Sequence, residues 1–285
     1  VLIIVLAAFL LGGGLVWVFL RPTPPPAAET ADPTPTSPTP VVIANEEVPN
    51  TPEAEPTAVI PTFTFPTCPA VNFAVIGDFG QDNLFAQNVA DLIKRQGAEF
   101  IVTVGDNNYP DGAAETMDDH IGKYYHEYIG NYQGEYGPGA SSNNFYPALG
   151  NHDWRTQSGD PPLPQAYLDY FTLPGNERYY NVVRGPVEIF ILDMDVAEPD
   201  GYRADSLQAQ WLREQLAAST ATWKVVISHH APYSSGTGHG STDFAQWPYA
   251  EWGADAVFSG DEHNYERLLV DGFPYLVNGL SGSSG

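Results

Sequence analysis

The chain has 285 residues, 43% of them apolar, with 35 acidic against 11 basic side chains and a formal net charge of −24. That length supports one large domain plus appendages, and that charge argues against nucleic acid or an anionic membrane surface as a partner. The single cysteine, Cys68, can close no internal disulfide, so cysteine usage is silent about compartment.

Residues 1–20 carry no charged side chain, hold Trp17 near one end and run into Arg21. About 20 apolar residues suffice to span a bilayer as a helix. The stretch is therefore read as a transmembrane anchor, with a signal segment cleaved near Ala27-Ala28 as the alternative. Val1 in place of Met, and a stop at Gly285 inside a Gly/Ser run, lead us to expect a fragment. Residues 21–69 form a Pro/Thr-rich acidic tract with more than half of the 26 prolines. Such a tract buries too little apolar surface to offset its ordering entropy and is expected to be a disordered tether. Together these segments predict that residues 70–285 work outside the cytoplasm, membrane-anchored or secreted, and touch a membrane only through the N-terminal segment.

From residue 70 the pattern turns globular. Strands are predicted at 71–76, 100–104, 145–149, 223–227, 256–258, 267–270 and 275–277, with a strand pair at 179–184 and 187–192 around Gly185-Pro186. A helical stripe runs over 84–95 through apolar residues 84, 85, 89, 92 and 93. Helices are also expected over 116–132, 166–171 and 204–219, the last with Leu207, Trp211, Leu212 and Leu216 on one side. Residues 160–164 read as loop. His120 and His126 are expected to pack or face solvent. This order favours an α/β fold with right-handed crossovers.

Five of the apolar runs break into polar tips. They are Val75-Ile-Gly-Asp78, Val102-Thr-Val-Gly-Asp106-Asn-Asn-Tyr109, Ala148-Leu-Gly-Asn151-His152-Asp153, Val225-Val-Ile-Ser-His229-His230-Ala-Pro232 and Val257-Phe-Ser-Gly-Asp261-Glu-His263-Asn-Tyr265-Glu-Arg267. Asp, Asn and His bind hard and borderline metal ions, and ligands in open α/β sheets collect beyond the carboxyl ends of strands. The tips supply enough donors for two ions with a bridging carboxylate. Asp193 and Asp195 also follow a strand and are expected to cap its end or support the site.

The order Asp78, Asp106 with Tyr109, Asn151-His152, His230 and His263 resembles the calcineurin-like metallophosphoesterase superfamily, and within it the purple acid phosphatases of the tartrate-resistant type. The resemblance implies a four-layer α/β/β/α sandwich of two mixed sheets flanked by helices. It implies hydrolysis of small phosphate monoesters by a metal-bound hydroxide at a dinuclear centre. One ion would take Asp78, Asp106, Tyr109 and His263; phenolate ligation suits iron(III). The second, a divalent iron, zinc or manganese ion, would take Asp106 as bridge, Asn151, His230 and Asp261. His230 is chosen over His229 because the family's ligand lies two residues before Pro, here Pro232. His152, and His239 in Ser234-Ser-Gly-Thr-Gly-His239-Gly-Ser, would face the phosphate or protonate the leaving group. The family usually reads Gly-His-x-His where this chain reads Gly260-Asp261-Glu262-His263, so the second ion is expected to be held differently. Members generally extend past Val277-Asn278-Gly279, which implies a truncated C-terminus. A phosphodiesterase or nucleotidase would use the same centre, and a catalytically weak surface binding protein would follow if Asp261 emptied the second position.

Overall fold

The structure is a computed structural model that describes residues 70–159 and 162–282, together with Ile4 and Val5. The anchor, linker and loop readings of residues 1–20, 21–69 and 160–161 lie outside the described residues, apart from Ile4–Val5 (β1). Among the described residues no helix is long and apolar enough to cross a membrane.

Ten short strands make two sheets. Phe73–Ile76 (β2), Phe100–Thr103 (β3) and Phe145–Tyr146 (β4) join β1 in the order β1-β2-β3-β4, parallel at every pair. Tyr180–Arg184 (β5), Val187–Ile191 (β6), Trp223–Ile227 (β7), Ala256–Ser259 (β8), Tyr265–Val270 (β9) and Phe273–Asn278 (β10) pair in the order β5-β6-β7-β8-β10-β9. The centre of this sheet is parallel and its edge strands β5 and β9 are antiparallel, each reached by a tight hairpin.

Side-chain alternation along the larger sheet sets the layering, because successive residues of a strand face opposite ways. Val187, Ile189 and Ile191 of β6, with Val225 and Ile227 of β7 and Phe258 of β8, belong to the same buried cluster as β2 and β3. The intervening Phe190, Val226 and Val257 pack instead with Ala209, Leu212 and Leu216 of a helix, Leu207–Ala218 (α5). β2 and β3 are buried along their whole length, which explains their unbroken apolar runs Phe-Ala-Val-Ile and Phe-Ile-Val-Thr. Their outer cover is Leu84–Gln96 (α1) and the helical run 114–128. The result is four layers, helix, sheet, sheet, helix.

Two helices bury a different face from the one expected. α1 starts at Asn83, whose side chain accepts from the N–H groups of Phe85 and Ala86 at 2.9 Å, and ends at Gly97 with φ 65°. Its buried stripe is Ala86, Val89, Ala90 and Ile93, leaving Leu84 and Phe85 exposed. On α5 the inward residue is Gln208 rather than Leu207; its amide bonds the backbone of Asp193 in both directions, at 2.7 and 2.8 Å. The helix expected over 116–132 is broken. Ala114–Met117 (α2) passes into a π-helical turn at Asp118–Gly122, then Lys123–Tyr125 (α3) and a 3₁₀ turn at His126–Tyr128. Asp118, which opens the π-helical turn, accepts from the Tyr132 and Tyr170 hydroxyls and the Glu135 N–H. Gln165–Tyr170 (α4) lies where expected; Tyr249–Trp252 (α6), which carries no long apolar stripe, was not anticipated.

Candidate metal centre

The five polar tips leave the carboxyl ends of β2, β3, β4, β7 and β8, and both sheets point those ends at one place. On one side Asp78, Tyr109 and His263 meet. The Tyr109 hydroxyl lies 3.2 Å from Asp78 Oδ1 and 3.3 Å from His263 Nε2, and that nitrogen lies 3.5 Å from the same Asp78 oxygen. Tyr109 donates to Asp78 in this triangle, and its three polar atoms stand close enough together to serve one ion.

On the other side the inward ring is His229. Its Nε2 is 3.0 Å from Asn151 Oδ1, 3.4 Å from Asp106 Oδ1 and 3.6 Å from Asp261 Oδ1. Its Nδ1 donates to the Val104 carbonyl at 2.9 Å. A proton on Nδ1 leaves Nε2 facing three oxygens, where a second proton or a cation would satisfy them. Two sets of donor atoms could each hold an ion, Asp78 with Asp106 and His229, and His229 with His230 and Asp261, each set lying within 4.8 Å. The ion pairs made by Asp78, Asp106 and Asp261 are to histidines alone among the described residues.

His229 and His230 both belong to a candidate donor set with Asp261, and their surroundings differ. His229 is buried and reaches Asp106 and Asn151, whereas His230 is half-buried on the outer side, with its Nδ1 2.9 Å from Asp261 Oδ2. The two adjacent residues at the strand end face opposite ways. Asp261 lies at the centre of three imidazoles, since His239 Nδ1 is 3.5 Å from its Oδ1. His239 itself is solvent-exposed. The His152 N–H donates to Asp106 Oδ1 at 2.9 Å, its Nδ1 is 2.6 Å from the Pro110 carbonyl, and its Nε2 stands 3.9 Å from Asp106 Oδ2.

The glycines of the tips are fixed by these contacts. A Cβ on Gly105, at φ 97°, would lie 2.6 Å from His229 Nδ1, and one on Gly150 would lie 2.3 Å from the Asp106 backbone nitrogen. Behind Asp106 is a support that sequence reasoning missed. Asp153 accepts from the Asn107 backbone at 3.1 Å, the Asn107 amide at 2.8 Å and Gly150 N–H at 2.8 Å, and that amide also donates to the Ala148 carbonyl. Both residues are in the tip motifs, but nothing in their spacing separates a support from a ligand.

The electrostatics reflect crowded negative charge. Burial pushes the Asp78 carboxyl up to about 6, against the pull of its His263 hydrogen bond. Burial, then the Asp106 charge, push Asp153 up to about 7. Burial pulls the His229 imidazolium down, yet Asp106, Asp78 and Asp261 outweigh it and raise it to about 10. Burial and the two neighbouring carboxylates hold the Tyr109 phenol protonated far above its usual range. Burial raises Asp261, but its three histidines hold it well below the ordinary carboxylate range.

The sequence profile of the calcineurin-like phosphoesterases matches residues 71–265. Purple acid phosphatase 17 of Arabidopsis thaliana is 26% identical over 243 residues, 75% of this chain and 69% of that protein. Tartrate-resistant acid phosphatase type 5 of Homo sapiens is 23% identical over 256 residues, 78% of this chain and 76% of that protein. Among solved structures, GAP50, the anchor in the inner membrane complex of Plasmodium, shares the fold at a TM-score of 0.52 and 19% identity, covering 75% of this chain and 73% of its own.

Proposed function

Because the chain belongs to the calcineurin-like phosphoesterase family and is a metal-dependent phosphoric ester hydrolase, we propose that it cleaves small phosphate monoesters as an acid phosphatase does. Asp78, Tyr109 and His263 would hold one ion, iron(III), which a phenolate suits. Asn151, His229 and Asp261 would hold a divalent ion, iron, zinc or manganese, with Asp106 as the carboxylate shared by both. When bound, such a pair lowers the pKa of water toward neutrality and draws charge from the phosphoryl oxygens. His152, anchored through Nδ1 on the Pro110 carbonyl, would give its Nε2 proton to the departing ester oxygen as the imidazolium, the form that burial disfavours and acid pH restores, with His239 as a second imidazole at the mouth. His230 steadies Asp261 through their 2.9 Å contact. We further propose an extracytoplasmic location with contact to a membrane only through the N-terminal segment, and for this residues 1–69 are the sole support.

The observation that carries the reading is the convergence of His229 Nε2 with the Asn151, Asp106 and Asp261 oxygens, at 3.0, 3.4 and 3.6 Å. The test is hydrolysis of p-nitrophenyl phosphate beside bis-p-nitrophenyl phosphate, with and without chelator, together with the visible spectrum. We expect turnover of the monoester, its loss on chelation, and a tyrosinate-to-iron(III) band. Turnover of the diester alone would favour a phosphodiesterase on the same centre. No turnover with any divalent ion would leave a surface binding protein, the reading that Asp261 in the place of an imidazole favours.

A further inference from the structure

The loop 234–241, which brings His239 to the centre, is held by two carboxylates of the last polar tip. Glu262 lies between Asp261 and His263 and is buried. Its carboxylate accepts three successive backbone N–H groups, from Gly238 at 3.1 Å, His239 at 2.6 Å and Gly240 at 2.7 Å. Gly236 lies so close that a Cβ there would be 2.2 Å from Glu262 Cδ. Four residues on, Glu266 accepts from the Ser234 hydroxyl at 3.0 Å, from the Ser235 N–H at 3.0 Å and from the Ser235 hydroxyl. Ser241 closes the loop on itself, taking the Ser234 N–H at 2.9 Å and donating to the Ser234 carbonyl at 3.1 Å. The glycine and serine content of the loop thus matches the surface of two carboxylates wrapped by backbone. The His239 side chain, 52% exposed, lies 3.5 Å from Asp261 and holds its ring 6.2 Å from that of His263.

We propose that Glu262 is a positioning residue, which fixes the 238–240 backbone so that His239 stands over Asp261 and His263 where a phosphate ester enters. A carboxylate accepting several backbone N–H groups is a charge-assisted anchor, and it belongs to the same turn that supplies two site residues. Loop and centre are therefore registered to each other through that turn, with Glu266 of β9 holding the start of the loop. The inference rests on the phosphatase reading of the centre.

The test uses the metal-loaded protein and the variants Glu262→Gln, His239→Ala and their combination. Amide hydrogen exchange over 236–240, metal content, and kcat and KM for p-nitrophenyl phosphate are measured. Glu262→Gln should speed exchange of the 238–240 amides about tenfold or more and leave the ion count unchanged. It should lower kcat/KM by the factor that His239→Ala does, on the order of 10- to 100-fold. The double variant should then be no worse than either single one. Glu262→Asp, which keeps the charge but falls one methylene short, should behave like Glu262→Gln and serves if the latter does not fold. Unchanged exchange, losses that multiply in the double variant, or a fall in ion count would overturn the proposal. If the wild type hydrolyses no ester at all, the phosphatase reading fails, and the exchange measurement alone decides whether Glu262 holds the loop.

Discussion

Asp78, Asp106 and Asp261 have φ of 54°, 52° and 67°, half of the non-glycine residues in the left-handed region among those described. That conformation costs on the order of 1 kcal/mol for most side chains and is best tolerated by Asn and Asp. Backbone and chemistry thus restrict these positions separately, and a substitution can divide them. Asp106→Asn should keep the fold, with a melting temperature near that of the wild type, and lose well over about 100-fold in activity because the carboxylate between the two donor sets is gone. Asp106→Ala should lose the same activity and also about 1 kcal/mol or more of stability. Equal thermal stability of the two variants would contradict the backbone half of this argument.

The same scale separates His229 from His230. Titrating apo protein with zinc or iron(II), His229→Ala should remove the second binding event, and His230→Ala should weaken it by roughly 10- to 100-fold, as expected for a partner of a ligand. Asp261→His should strengthen the second site for zinc; an unchanged affinity would count against Asp261 as a ligand. Sequence made Asp78, Asp106, Tyr109, Asn151, Asp261 and His263 candidates, and they are found together because each is a polar residue at the end of a buried apolar run. It could not choose between two adjacent histidines. What distinguishes them in the fold is the Val104 carbonyl, 125 residues away, which accepts from His229 Nδ1 and turns its Nε2 toward Asp106 and Asn151.

At the scale of the element, the strands were legible and the helix faces less so. β2, β3 and β6 are continuous apolar runs, which have one reading when bounded by glycine. α1 and α5 each present more apolar residues than their buried stripe needs, so Leu84, Phe85 and Leu207 could not be told from core. On α5 the deciding residue is Gln208, which anchors the turn after β6 where Asp193 is buried. Asp193 accepts from the Trp154 indole at 3.0 Å, linking that turn to the segment just after Asn151 and His152. Burial, then the Glu198 charge, push the Asp193 carboxyl well above its ordinary range. Folded Asp193 therefore holds its proton to a higher pH than the unfolded chain does. Between those two values unfolding releases a proton, so stability falls as pH rises. Asp193→Asn keeps the shape without the titration. Its urea-unfolding free energy between pH 4 and 8 should fall less steeply than that of the wild type, by up to about 1.4 kcal/mol per pH unit. Parallel curves would mean that Asp193 is already ionised in the fold.

For the whole molecule the governing fact is a net charge of −24 on a protein proposed to bind a dianion. No Lys or Arg pairs with Asp78, Asp106 or Asp261 among the described residues, so bound cations and the histidines around these three carboxylates are what offset that field at the centre. Beyond about 8–10 Å, the screening length at physiological salt, an approaching phosphate ester meets mainly repulsion. Enzymes that steer a charged substrate lose kcat/KM as salt is added. Here the sign should reverse: between about 10 and 200 mM sodium chloride, kcat/KM for a dianionic monoester should rise severalfold. That for a monoanionic diester, if it is turned over, should rise less. The comparison is informative because both esters meet the same centre and differ in charge on approach. A fall with salt for the dianion would mean that local positive potential from the bound ions reaches past the mouth of the site and outweighs the acidic surface.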